Sequence, residues 1–340
     1  MRAIRFGFLM STALTAAALM AAPAWAEDAS ATTPAASAPA TTAAPAASSS
    51  SDTSAPAAAS STAATPAASS DTAAAAAPAA GEPQNDDLDA VLWDQTSVEA
   101  KASSIGAYTL ARFRLNQALL DRRWTAAEEQ VGQRYRRLPP AIILDVDDTV
   151  LNTSAYQAWT VTAGTSFTDK TWDDYVKAEK DVPIAGAVDF LKYAARRGVT
   201  IFYVTNRTAG QEAPTVEEMK KFGFPMGNGR VDTFLAVGEK PDWKSAKGTR
   251  RAYIAQHYRI VLLIGDNMGD FTDKYKGSLS ERDAVYEADM KHWGHDWIQI
   301  ANPTYGSFQS APFANDYSKS ADEQRKEIKA VLSPWSGPTP

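Results

Sequence analysis

The chain has 340 residues, with 40 Asp and Glu against 34 Lys and Arg and no cysteine. The lack of cysteine excludes disulfides, thiol catalysis and a lipid-modified N-terminal cysteine, and no stretch concentrates the basic charge that nucleic-acid polymers require. An apolar core must therefore hold the fold unaided, which a large domain can do.

The first 26 residues read as a secretory signal. "MRAIRF" carries Arg2 and Arg5, "GFLMSTALTAAALM" is apolar, and "AAPAWA" places small residues before an expected cut after Ala26. The apolar run is too short and Ala-rich for a spanning helix. The mature protein is expected in the periplasm or secreted, unlipidated and without a transmembrane segment. Residues 27–82 are almost all Ala, Ser, Thr and Pro, with acids at Glu27, Asp28, Asp52, Asp71 and Glu82 and no Lys or Arg. With nothing bulky to bury, they are expected to form a disordered tether. Residues 83–340 are expected to fold, as a helical extension (83–137) and an α/β core (138–340).

Apolar positions at helical spacing, among them Tyr108, Ala111, Leu115 and Leu119, predict two or three helices between Leu88 and about Gln133. Strands and helices then alternate. "AIILD", "VTIFYVTN" and "RIVLLIGDN" lack polar alternation, as expected of strands covered on both faces. Shorter strands are expected at "DTFLAV" and "WIQIA". Between them, "IAGAVDFLKYAARRG", "TVEEMKKFG" with a Thr215/Glu218 capping box, and "SAKGTRRAYIAQH" read as helices. A Ser320/Glu323 box opens a last helix. The alternation predicts a doubly wound, mainly parallel sheet, whose ligands sit outside the C-terminal strand ends.

The three strong strands end in "DVDDT", "TNR" and "GDNMGD". Asp145, Asp147 and Asp148 fall within four positions, and carboxylates that close stay ionised only beside a cation or strong donors. Either this is a solvated acidic turn or a positive partner belongs there. On neighbouring strand ends, Asp145, Asp147 and Asp266 would make an oxygen-rich site suited to Mg²⁺. "HWGH" (His292, His295) has neither cysteine nor a carboxylate motif, and is read as packing rather than a zinc site.

"ILDVDDTVLNTSAY", "FYVTNR", "KSAK" and "IGDNMGDF" stand in the order of the four haloacid dehalogenase (HAD) superfamily motifs. With "LWDQTSVEAKA", "SAYQAWTVTAG", "TWDDYV", "IAGAVDFLKY" and "NPTYGS", the chain resembles class C acid phosphatases, the outer-membrane lipoprotein e family within HAD subfamily IIIB, from about Ala90 to Ser310. The resemblance implies a Mg²⁺-dependent phosphomonoesterase acting as a 5′-nucleotidase. Asp145 would be the nucleophile that forms an aspartyl-phosphate, and Asp147 the acid/base. Mg²⁺ would lie between Asp145, the Asp147 carbonyl and Asp266. Thr205 would bond a phosphoryl oxygen, with Asn206 and Arg207 beside it. Lys247, or Lys244 three residues earlier, would screen charge, with Asp270 in support. Only about fifty residues separate the first two motifs, too few for a large cap domain. The resemblance therefore gives leaving-group binding to Trp172 and Tyr305, the latter in a turn expected to be exposed, and at lower rank to Tyr156 and Trp159. A nucleoside monophosphate is the implied substrate, and a homodimer is left open. A non-catalytic phosphate-binding or adhesion protein on the same scaffold is the alternative, disfavoured by the intact Asp145, Asp147, Lys247 and Asp266.

Overall fold

Parallel pairing of the three long apolar runs sets the architecture. The computed structural model describes residues 86–337; the expected signal peptide, its cut after Ala26 and the tether lie outside the described residues. Two helices come first, α1 (Leu88–Thr96) and α2 (Val98–Leu120). Ser97 caps α2, its hydroxyl accepting the Ala100 amide at 2.9 Å. There follow β1 (Pro140–Leu144), β2 (Leu151–Asn152), α3 (Ser154–Ala163), α4 (Asp169–Ala178), β3 (Val182–Pro183), α5 (Ala187–Arg196) and β4 (Thr200–Thr208). The chain continues through α6 (Glu212–Phe222), β5 (Phe234–Val237), α7 (Gly248–Ala255), β6 (Arg259–Gly265), α8 (Leu279–Ala288), β7 (Trp297–Gln299), α9 (Ser307–Ser310) and α10 (Ala321–Ala330).

One sheet runs β5-β4-β1-β6-β7, every neighbour parallel. β1 is central, with Ile142 opposite Ile201 on one side and Leu262 on the other. Period-two alternation sends Ile142 and Leu144 to a core shared with Tyr108, Leu115 and Phe190, and Ala141 and Ile143 to a second core with Phe202, Leu263 and Trp297. Both faces are covered, which is why these strands read as unbroken apolar runs. Each fully buried Ile or Leu contributes roughly 1.5–3 kcal/mol. The doubly wound parallel α/β fold is as expected.

Two local expectations need correction. Thr215 and Glu218 do not open α6, which starts three residues earlier. The capping box there belongs to Thr208 and Gln211, at a short 3-10 turn running into the helix. Thr215 and Glu218 are instead buried on its inner face. The span 153–181 holds α3 and α4, which the sequence reading leaves without elements. It is closed at its base by the antiparallel ribbon β2–β3, with Leu151 opposite Pro183 and Asn152 opposite Val182.

Candidate active site

β4, β1 and β6 are adjacent and parallel, so their C-terminal ends reach one edge and deliver Thr205, Asp145 and Asp266 together. A cavity of about 670 Å³ opens there, lined among others by Asp145, Asp147, Asn206, Arg207, Lys247, Asp266, Asp270, Trp172 and Tyr305. Thr205 is fully buried and is not a lining residue; its Oγ1 accepts the Arg207 amide at 3.0 Å.

Three carboxylates converge. One oxygen each of Asp145, Asp266 and Asp270 lie within 4.8 Å of one another. Lys247 Nζ sits 2.6 Å from Asp145 Oδ1 and 2.7 Å from Asp270 Oδ1, with 5% of its side chain exposed. Burial works against the Lys247 charge, but these two carboxylates outweigh it and raise its pKa. Lys244 is exposed, and its carbonyl accepts from Arg250 Nη2 at 2.8 Å. Asp145 is pushed up to about 6, by burial first, against the lowering pull of Lys247 and reinforced by Asp270. Asp266 is pushed well above the usual carboxylate range by burial, then by Asp270 and Asp145. One ammonium for three carboxylates, Asp270 buried and Asp145 and Asp266 half-buried, leaves the cluster short of positive charge, and an all-oxygen donor set fits a hard divalent cation.

The supports come from scattered segments. Thr149 Oγ1 donates to Asp266 Oδ1 and Asn302 Nδ2 to Asp266 Oδ2, both at 2.9 Å. Asp270 Oδ2 accepts the Asn267 amide at 2.9 Å. Gly265 is obligatory beside it: a Cβ there would stand 2.2 Å from Asp270 Oδ2 and 2.4 Å from Asp270 Cβ.

Asp148, third acid of the cluster, serves structure. It sits at φ +48°, and its oxygens accept the Thr153 amide (2.9 Å) and hydroxyl (2.6 Å), fixing the turn into α3. Burial pushes its pKa up to about 7 against those bonds. The Tyr305 phenol faces Asp148, and Tyr305 is half-buried rather than exposed as the sequence suggested.

Arg207 is buried, at 1% exposure. It donates through Nε to Asp147 Oδ1 (2.9 Å), through Nη1 to Thr215 Oγ1 (3.0 Å) and through Nη2 to Asp181 Oδ2 (2.5 Å). Burial opposes its charge, but Asp147 and Asp181 hold it more firmly protonated than a free guanidinium. Asn206 is exposed, its Oδ1 accepting from Arg250 at 2.9 Å.

Trp172 is half-buried at the rim, edge-on to Tyr156 at 5.1 Å and near Phe167 at 6.1 Å. Phe167, missed in the sequence, is 57% exposed and lines the cavity. Tyr156 is buried behind Trp172, and Trp159, 42% exposed, is not a lining residue. His292 and His295 pack as the sequence suggests, stacked on Trp297 and Trp124 at 4.7 and 4.0 Å and sharing Asp296.

A parallel α/β sheet with aspartates and a lysine gathered at its C-terminal edge defines a HAD-like hydrolase. The family model for HAD superfamily subfamily IIIB (acid phosphatase) matches residues 47–308, and the chain belongs to that family of phosphatases. A class C acid phosphatase from Bacillus anthracis is 31% identical, with a TM-score of 0.64 over 73% of this chain and 97% of that one. A tungstate-bound structure of class C acid phosphatase from the same organism matches at 31% identity and a TM-score of 0.63, with the same coverage.

Proposed function

We propose that the chain is a Mg²⁺-dependent phosphomonoesterase working through an aspartyl-phosphate on Asp145, with nucleoside 5′-monophosphates as preferred substrates. The observation that carries this is the Lys247 ammonium wedged between Asp145 and Asp270 on the wall of an open cavity. An anionic nucleophile attacking an anionic ester needs such charge, and the relative solved with tungstate bound supports an oxyanion ligand.

Asp145 Oδ attacks phosphorus as the bond to the leaving oxygen breaks, and Asp147 gives that oxygen its proton. Asp147, now a carboxylate, takes a proton from water as that water attacks phosphorus, freeing Asp145 and inorganic phosphate. Asn206 borders the pocket that takes the phosphoryl group, and Thr205, buried behind its wall, accepts the Arg207 amide. Asp145, Asp266 and the Asp147 carbonyl would hold the cation, whose bound charge offsets repulsion between nucleophile and substrate. Asp270 keeps Lys247 in place.

The rim aromatics Trp172 and Tyr305 support a planar leaving group. Stacking contributes roughly 1–3 kcal/mol per base in single-strand nucleic-acid sites. Trp172→Ala and Tyr305→Ala should therefore each cost about tenfold in kcat/KM on a nucleotide and much less on glycerol phosphate. Equal losses on both would end the nucleotide preference and leave the phosphatase. A mature N-terminus at Glu27 in an extracytoplasmic fraction would support export, and a retained Met1 would refute it.

A further inference from the structure

Asp147 is held by one side chain that no step of the proposed chemistry uses. Arg207 Nε and Nη2 lie 2.9 and 2.8 Å from Asp147 Oδ1. The remaining donors anchor the arginine itself. Thr215 on α6 takes Nη1, and Asp181, just before β3, takes Nη2. Asp181 is fixed in turn by the Tyr175 hydroxyl from α4 (2.6 Å) and by its own amide, which donates to Glu218 on α6 (2.9 Å). The guanidinium lies 5.5 Å from the Trp172 ring.

The burial of this set decides between roles. Arg207 and Asp181 are 1% and 3% exposed. Taking ions out of water costs several kcal/mol per ion after relaxation, so a buried pair is weak grounds for a stability role. A planar fork does give geometry, because two donors on one oxygen fix where the other oxygen points. Arg207 Nε, Nη1 and Nη2 each have a protein acceptor, which speaks against a phosphate-gripping role.

We propose that Arg207 is the positioning residue for Asp147, and that Asp181, with Tyr175 and Thr215, anchors Arg207 so that the acid/base and the rim helix α4 move as one unit. The inference rests on the acid/base role of Asp147 given above. Orientation of a proton donor matters most when the leaving oxygen cannot carry its charge alone. Glycerol phosphate needs that proton, whereas p-nitrophenyl phosphate, whose leaving anion is stabilised by its ring, scarcely does.

The test is the ratio of kcat/KM on these two substrates for Asp147→Asn, Arg207→Lys and Asp181→Asn. The ratio does not depend on how much protein is folded, because both substrates sample the same active molecules. All three variants are expected to lose about tenfold or more beyond wild type on glycerol phosphate relative to p-nitrophenyl phosphate, within the 10²–10⁴-fold that general acid catalysis contributes. Arg207→Lys keeps the charge and loses the fork, so it is not expected to rescue the ratio. If Arg207→Lys does not fold, Asp181→Asn carries the test, since its amide retains an acceptor oxygen for Arg207. A skewed ratio in Asp147→Asn with an unchanged one in Asp181→Asn and any folded Arg207→Lys overturns the positioning role alone. An unchanged ratio in Asp147→Asn removes the acid/base reading and this inference with it.

Discussion

Lys247 Nζ stands 2.6 Å from Asp145 Oδ1, the contact on which the proposed nucleophile depends. Replacing Asp145 by Asn keeps the shape but removes the attacking charge, and should lower kcat by at least about 10³-fold, in line with nucleophile loss elsewhere. Lys247→Gln should cost about 10²–10³-fold, as does removal of a buried donor aimed at developing charge. Lys244→Gln, altering an exposed side chain three residues earlier, should cost almost nothing. Steady-state rates on one phosphomonoester decide all three, and a Lys244→Gln loss matching that of Lys247→Gln would reverse the choice of lysine.

Cation binding has a readout apart from turnover. A ligand at one hundred times its Kd stabilises the native state by about 2.7 kcal/mol. Mg²⁺ added to chelated protein should therefore raise Tm, and Asp266→Asn should abolish the rise. A Tm indifferent to Mg²⁺ in the unaltered chain would count against the cation.

Gly265→Ala tests the packing beneath the cluster. Its new Cβ overlaps Asp270 at the Cβ as well as the carboxylate, so a swing of the carboxylate alone cannot relieve it. Asp270 must move away from Lys247, and activity should fall by about tenfold or more, the scale on which small misplacements of catalytic groups act. Retention of full activity would show that Asp270 is dispensable.

Glu218 predicts a pH dependence of stability. Burial, then the neighbouring Asp181, raises its pKa from 4.5 to about 8, with Arg207 pulling the other way. Between those values the native state keeps a proton that the unfolded chain has released, so stability falls as pH rises. Its contribution is complete below about 4.5 and lost by about 8. Each unit costs at most about 1.4 kcal/mol, or at most about 3–6 °C in Tm. Glu218→Gln should flatten Tm against pH across this window. An equally steep fall in the variant would place the titration elsewhere.

The sheet was legible because strands buried on both faces leave long apolar runs, and because Asp145 and Asp266 sit directly after two of them. Asp148 was not separable from its neighbours: only its left-handed backbone and its bonds to Thr153 take it out of the cavity. The Thr215/Glu218 pair imitated a helix start, since hydroxyl and carboxylate at that spacing suit a capping box. Their partners turned out to be Arg207 and Asp181, brought near only by the fold. Asp181 carried no signal at all, being 26 residues from the arginine it holds.

The ribbon of Leu151–Asn152 against Val182–Pro183 has an architectural consequence. The chain enters and leaves the stretch from Thr153 to Asp181 at adjacent points, so that stretch behaves as a cassette on a two-rung clip. Its helices carry Trp172 and Tyr175, while Asp145, the proposed nucleophile, and Lys247 lie outside it. The leaving-group contact proposed for Trp172 can thus diverge by exchange of this cassette, as long as Tyr175 and Asp181 keep their hold on Arg207. Asp181, at the clip itself, marks the seam that any graft must preserve.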